Sequence, residues 1–83
     1  MDGNFNLLAI INDVKYLMII EKTATGYSAF IPDLPGCIAT GANLKETEQK
    51  MCEAVQFHLE AMRLENLEIP PSFSRAAYID IPA

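Results

Sequence analysis

The sequence has no tryptophan, a single histidine and only two cysteines. Two cysteines are too few for the disulfide framework of a small secreted domain, and Cys37, Cys52 and His58 together leave a tetrahedral zinc site one ligand short. The longest apolar runs, residues 7–11 and 16–20, are far below the roughly 20 residues that a membrane-spanning helix needs. We therefore expect no metal, no cofactor and no membrane partner.

Positive charge is also scarce. Six Lys and Arg residues stand against eleven Asp and Glu, which gives a formal net charge of −5. The basic residues are scattered, so no cluster is available to hold phosphates, and we expect no direct DNA binding by this chain. An acidic small domain suits a basic protein partner, because complementary charge speeds encounter. The first residues lack the positive region of a signal peptide, so the expected location is cytoplasmic.

The sequence has enough apolar residues for a core, since 51% of its 83 residues are hydrophobic. This length predicts one domain, residues 1–83. Residues 16–22 are rich in bulky and β-branched side chains and predict a first strand. Residues 23–26 are typical of a hairpin loop in which Gly26 is free to take a positive φ.

A second strand is predicted by alternation at residues 27–31. Tyr27, Ala29 and Ile31 fall on one face of it. Two prolines must end this strand, because each removes a ladder donor and fixes φ. Residues 37–40 then predict a short third strand.

A long helix is predicted to begin after Asn43, which can cap it, with Glu46 completing a capping-box pattern. It runs to about Glu65, and Asn66 is a candidate C-terminal cap. Spacings of three and four draw one apolar stripe. Its members are Leu44, Thr47, Met51, Ala54, Val55, His58 and Met62.

Residues 77–81 predict a final strand, which gives the order β-β-β-α-β. The fold class is α+β, with a three-stranded antiparallel sheet, one long helix and the last strand. Residues 5–14 fit a helix as well as a strand. Because residues 16–20 are apolar without alternation, both faces of the first strand need cover. Either residues 5–14 or another copy of the chain supplies the second face, and we expect an oligomer, most simply a dimer.

Few residues are arranged for chemistry. His58 lies on the apolar stripe, where a packed histidine is the ordinary interpretation. Cys37 and Cys52 are expected to be small buried apolar residues. The helix carboxylates are expected to face solvent, and only Asp33, between two prolines, has an unusual setting. We therefore expect no catalytic residues and no enzymatic activity.

One segment nevertheless carries a specific resemblance. Residues 26–41 contain Pro-Asp-Leu-Pro-Gly-Cys between two strands, followed by a glycine and a capped helix. This pattern resembles the HicB antitoxin family, and the similarity extends over roughly residues 16–82. Asn43 stands where the family usually has a Thr or Ser cap, and the Pro70-Pro71 pair after the helix also matches.

The resemblance implies a degraded RNase H-like domain that binds and blocks a small HicA toxin, a ribonuclease similar to double-stranded-RNA-binding domains. The family is generally dimeric or tetrameric. Many members carry a C-terminal DNA-binding module, whereas only twelve residues follow Pro71, so the expectation is that any DNA binding comes from a separate protein.

The predicted function is therefore that of an antitoxin-type binding module. The alternatives are an orphan oligomeric domain with another regulatory role and a residual RNase H-like nuclease. A rigid turn and an acidic helix face suit binding to a basic toxin. The predicted partner-binding residues are Pro32, Asp33, Leu34, Pro35, Gly36, Glu46, Glu53 and Glu60.

Overall fold

The computed structural model describes residues 14–83. The question left open over residues 5–14 falls, except for Val14, outside this range. The elements are β1 (Ile19–Lys22), β2 (Tyr27–Phe30), β3 (Ile38–Gly41) and α1 (Leu44–Leu64). Each differs by no more than three residues at either end from its prediction, and the α+β class is confirmed. Within residues 14–83 there is no helix of the length and apolarity required to cross a membrane.

The three strands form one antiparallel sheet in the order β1-β2-β3. Ile20, Ala29 and Ala39 share one rung and lie on the face that packs against the core. The neighbouring rung of Ile19, Phe30 and Ile38 points to the opposite face, where Phe30 and Ile38 are exposed. The predicted alternation of the second strand is thus confirmed.

The β1–β2 hairpin closes differently from the prediction. The Thr23 N–H donates to the Gly26 carbonyl at 2.8 Å, and the Gly26 N–H donates to Thr23 Oγ1 at 3.1 Å. Among the described glycines only Gly36 has a positive φ, so the prediction for Gly26 was wrong. Gly26 is required for space, because a Cβ there would collide with the Gly41 carbonyl oxygen.

Both helix ends are formed by the predicted residues. Asn43 is the N-cap, and its side chain accepts the Glu46 N–H at 2.8 Å. The Glu46 carboxylate accepts from the Ala42 N–H at 2.7 Å, one residue before the cap. At the other end Asn66 has φ 58°, and the next residue, Leu67, donates its N–H to the Met62 carbonyl at 2.9 Å. This is a Schellman arrangement with asparagine in the left-handed position.

The core lies between the sheet and α1. Its buried residues are Ala29, Ile31, Leu34, Cys37, Met51, Leu59 and Thr47. Thr47 and Met51 belong to the predicted stripe, whereas the prediction missed Leu59 and included Leu44, which is exposed. Leu59 lies eight residues after Met51, so the buried stripe follows one straight i, i+4 row.

The predicted final strand is not shown. Residues 77–81 have no strand assignment, and Tyr78, Ile79 and Ile81 are exposed. A strand exists only as part of a hydrogen-bonded ladder, and this segment has no ladder partner among residues 14–83. The apolar pattern of residues 77–81 is typical of a strand, but such a pattern does not indicate which sheet edge the segment would pair with.

Candidate partner-binding surface

The turn between β2 and β3 is built from two consecutive tight turns. The Leu34 N–H donates to the Ile31 carbonyl at 3.0 Å, and the Cys37 N–H donates to the Leu34 carbonyl at 3.1 Å. A proline follows the first residue in each turn, which is the position that proline's fixed φ favours. Gly36 has φ 91°, as the third residue of a type II turn requires.

Leu34 makes this turn part of the core. Its side chain is 1% exposed and belongs to the same cluster as Met51 and Leu59. Pro32, Pro35 and Gly36 remain exposed on the outside of the turn. The predicted site therefore divides into an inner anchor, Leu34, and an outer rim that a partner is able to touch.

Asp33 has an internal role that the sequence did not reveal. One carboxylate oxygen accepts the backbone N–H groups of Phe73 and Ser74 at 2.8 and 2.9 Å, and the other accepts the Ser74 hydroxyl at 2.8 Å. The turn thereby fixes the segment that follows Pro70-Pro71. Tyr16 adds a second attachment, because its hydroxyl donates to the Pro70 carbonyl.

The ionisable groups at this end of the sheet influence one another. Hydrogen bonds from Ser74 lower the pKa of Asp33, and the bond from the Ser74 backbone N–H has the largest effect. Desolvation by burial is the main cause that raises the pKa of Tyr16, and the negative charge of Asp33 raises it further. Burial raises the pKa of Cys37, so its thiol stays protonated and unreactive.

This pKa direction gives the first testable expectation. A carboxylate whose pKa is lowered in the folded state contributes stability above its ordinary value of 3.8, and that contribution is lost as pH falls through the lower, folded value. We expect the Phe73 and Ser74 amide resonances to shift on acidification with a midpoint below 3.8. The measurement is an NMR pH titration of the labelled chain.

The matched controls for this titration are Asp33→Asn and Asp80→Asn. Asp33→Asn removes the charge that attracts the two N–H groups, so the shift should vanish at Phe73 and Ser74. Asp80 is an exposed acid in the same segment, and its substitution should leave the midpoint unchanged. A midpoint at or above 3.8 in the wild-type chain would contradict the role given to Asp33.

The three predicted helix acids do not behave alike. Glu46 is half-buried. Its carboxylate accepts a hydrogen bond from the Ala42 N–H and forms a salt bridge with the Lys50 ammonium at 3.4 Å. The Ala42 bond, and then Lys50, lower its pKa. Glu53 and Glu60 are exposed, and because they are seven residues apart they lie on one line along the helix, roughly 10 Å from each other.

The structure does not gather all predicted residues into one patch. Glu46 lies beside Ala42, after β3 ends, whereas the 32–36 turn precedes the start of β3. Among residues 14–83 no group of three His, Cys, Asp or Glu side chains could hold a metal ion. Cys52 is exposed, which corrects its predicted burial. It follows Met51 on the helix and therefore points about 100° away from the buried row.

Sequence reasoning missed an apolar groove beside the start of the sheet. The groove has a volume of about 230 Å³, and the residues along it include Val14, Tyr16, Met18, Met51 and Val55. The apolar run at residues 16–20 was the sequence signal that could have indicated this groove, because it placed apolar side chains on both faces of the first strand.

Together these features define a small α+β domain: a helix-backed sheet with a proline-containing turn, exposed acids along the helix and no assembled metal site within residues 14–83. Residues 16–82 match the profile of the HicB_like antitoxin of bacterial toxin-antitoxin systems. The chain belongs to this family.

Individual relatives agree with that assignment. An uncharacterized 14.9 kDa protein of Haemophilus phage HP1 is 39% identical over 67 residues, which cover 81% of this chain and 50% of the phage protein. A UPF0150 protein of Helicobacter pylori is 35% identical over 59% of this chain and 68% of its own length. One from Synechocystis is 34% identical over 68% and 72%. No solved structure matches the chain.

Proposed function

We propose that this chain neutralises a small, basic, HicA-like ribonuclease toxin by binding it. The observation that carries the proposal is the family match over residues 16–82, which includes the whole 32–36 turn and all of α1. The chain spans about half the length of the phage relative, so the activity of the whole family is carried over here only as a proposal. The degraded RNase H-like ancestry and a cytoplasmic location belong to the same proposal.

The proposed contact surface has two parts. The exposed rim of the turn, Pro32, Pro35 and Gly36, is held by two tight turns and by the buried Leu34. A surface already fixed in this way loses little entropy on binding. Glu53 and Glu60 on α1 supply the negative charge that attracts a basic toxin.

The proposal assigns no catalysis to the chain. A two-metal nuclease site needs acids that converge on two ions about 4 Å apart. The Asp33 carboxylate is instead engaged by Phe73 and Ser74, and Glu53 and Glu60 lie along the exposed side of the helix. Inhibition by contact requires surface complementarity and no catalytic group on this chain.

The test of function is capture and inhibition. The tagged chain, purified from its native host, should retain a small basic protein of the HicA type, and the pure chain should block that protein's RNA cleavage at equal molar amounts. Retention of a toxin without inhibition, or a host toxin of this type that does not bind, would overturn the proposal. The orphan-domain alternative predicts the second of these results.

Charge reversal on the helix tests the contact surface. Glu53→Lys with Glu60→Lys changes the net charge by +4, from −5 to −1. We expect association with the toxin to slow by about tenfold and its salt dependence to flatten, because electrostatic steering acts mainly on the association rate. Stopped-flow binding across a salt series is the measurement. Glu46 is left intact because it stabilises the helix start.

The matched control is Glu21→Lys with Glu68→Lys, two exposed acids away from this helix line. It produces the same net charge, so any effect of overall charge appears equally in both variants. Equal slowing by the two pairs would show that the helix line has no local role in the interface.

A further inference from the structure

The helix line on which Glu53 and Glu60 lie also carries a large apolar side chain between them. Phe57 follows Glu53 by four residues and precedes Glu60 by three, so the three side chains are neighbours along one side of the helix. Phe57 is 75% exposed, although phenylalanine is among the residue types that are most often buried. Leu64 continues the line at the end of the helix and is also exposed.

The fold of the described chain does not account for a phenylalanine at position 57. Met51 and Met62 mark the side of α1 that packs in the core, and Phe57 lies roughly 120–140° around the helix from both. Among the described elements α1 packs on β2 and β3, with that opposite side. Phenylalanine is also a weaker helix former than alanine. Neither core packing nor helix propensity therefore requires this side chain.

The acids beside Phe57 keep their charges available. Between residues 14 and 83 the salt bridge that is present joins Lys50 to Glu46, which leaves Glu53 and Glu60 outside any ion pair in that range. Each lies about one turn from Phe57, one before it and one after it along the helix. A surface of this composition fits a partner that offers an apolar depression flanked by Lys or Arg side chains.

The charge of this face decides between possible occupants. A second copy of the chain, docked through the same face about a two-fold axis, would bring Glu53 and Glu60 of both protomers together, and like charges across an interface are unfavourable. Nucleic acid and anionic lipid are repelled by the same carboxylates. A basic protein surface is the occupant that this face attracts.

We infer that Phe57 is the apolar anchor through which α1 holds the basic toxin, seated in a depression of the toxin that Lys or Arg side chains surround. The inference rests on the proposed function and specifies which residue of the helix face supplies the affinity. Glu53 and Glu60 act while the toxin approaches, because exposed charges govern mainly the association rate. Phe57 acts once contact is made, when it leaves water.

This division between rim and centre follows the general energetics of interfaces. An aromatic side chain buries about 150–250 Å², and most of this area is still exposed at Phe57 in the single chain. Residues that dominate binding lie near the centre of an interface, and the contacts around them contribute little when truncated individually. Phe57 has the central position between the two acids, whereas Leu64 lies at the edge of the contact.

The experiment measures association and dissociation of the HicA-type toxin captured by the tagged chain, by stopped flow. Phe57→Ala should raise the dissociation rate constant by about tenfold or more, and it should leave the association rate constant and its salt dependence unchanged. Glu53→Lys with Glu60→Lys has the opposite profile, with its main effect on association. Because Phe57 is exposed, the helical circular dichroism of Phe57→Ala should be intact.

Two further variants separate apolar contact from charge and from exposure. Phe57→Glu makes the face more acidic, so a face that works by charge alone would bind the toxin faster and release it no sooner. If Phe57 is buried in the complex, the carboxylate should instead accelerate release beyond Phe57→Ala, because an unpaired charge is costly to bury. Tyr78→Ala removes a fully exposed aromatic outside both α1 and the 32–36 turn, and it should leave both rate constants unchanged.

The outcomes distinguish this inference from the proposed function. A wild-type chain that does not bind the toxin would overturn both. Binding by the wild-type chain with unchanged release from Phe57→Ala, or equal acceleration by Tyr78→Ala, would overturn the inference and leave the proposed function intact. Sedimentation of the chain without toxin should give the same oligomeric state for Phe57→Ala as for the wild type. Loss of an oligomer in this variant would assign the face to a second copy and overturn the inference.

Discussion

Leu34→Ala should destabilise the fold more than any other alanine substitution in the 32–36 turn. Leu34 is 1% exposed and reaches the core cluster that includes Met51 and Leu59. Truncating a buried leucine costs about 2–5 kcal/mol, because apolar contacts are lost and a cavity remains. A chain of this length has a total stability of roughly 4–12 kcal/mol, so the variant loses a large share of it. Urea unfolding followed by circular dichroism measures the change.

Leu64→Ala is the matched control. It is the same chemical change at the end of α1, where the side chain is 80% exposed, and it should alter the free energy of unfolding by less than about 0.5 kcal/mol. Equal effects of the two substitutions would mean that Leu34 does not anchor the turn. The pair also bears on function, since a loosened turn should bind its partner more weakly than an intact one.

The local signals in the sequence predicted the parts of the fold that depend on neighbouring residues. Asn43 begins the helix and Asn66 follows its end. The hydrogen bonds that form these two caps join residues only three to five positions apart, so composition and spacing are sufficient to find them. The alternation at residues 27–31 likewise predicted which side chains share a face of β2. Each of these features is complete within a short stretch of chain.

The missed features depend on distant residues. Asp33 accepts hydrogen bonds from Ser74, 41 residues away, and no periodicity signals such a contact. Leu34 was included among the partner-binding residues because the two prolines beside it indicated a rigid turn. Its burial depends instead on how the turn packs against residues of α1 such as Met51 and Leu59. The final strand is the extreme case, because strand pairing depends on a distant sheet edge, and residues 77–81 have no strand assignment.

Gly41 provides a second large effect, one that no sequence pattern predicted. A Cβ at Gly41 would lie 2.5 Å from Thr47 Oγ1, 2.8 Å from the Thr47 backbone nitrogen and 3.0 Å from its Cα. Thr47 is fully buried, and its hydroxyl donates to the Asn43 carbonyl at 2.8 Å, so the first turn of α1 has little freedom to move. The end of β3 and the start of α1 are therefore packed backbone against backbone.

We expect Gly41→Ala to lower the free energy of unfolding by about 1–3 kcal/mol through overpacking. The loss of unfolded-state freedom works in the opposite direction, but by only about 0.4–1 kcal/mol, so destabilisation wins. Thr40→Ala, at the neighbouring exposed position of β3, is the control and should have a much smaller effect. Denaturant unfolding of both variants gives the comparison.

A double variant separates the two obstructions at this site. Thr47→Ala removes the hydroxyl and methyl groups but leaves the backbone nitrogen and Cα where they are. If the backbone is the obstacle, Gly41→Ala should remain destabilising in the Thr47→Ala background by a similar amount. Full rescue there would assign the collision to the threonine side chain alone. Persistence would mean that glycine at position 41 is what allows the sheet and the capped helix to meet, and with them the turn and acidic face proposed to bind the toxin.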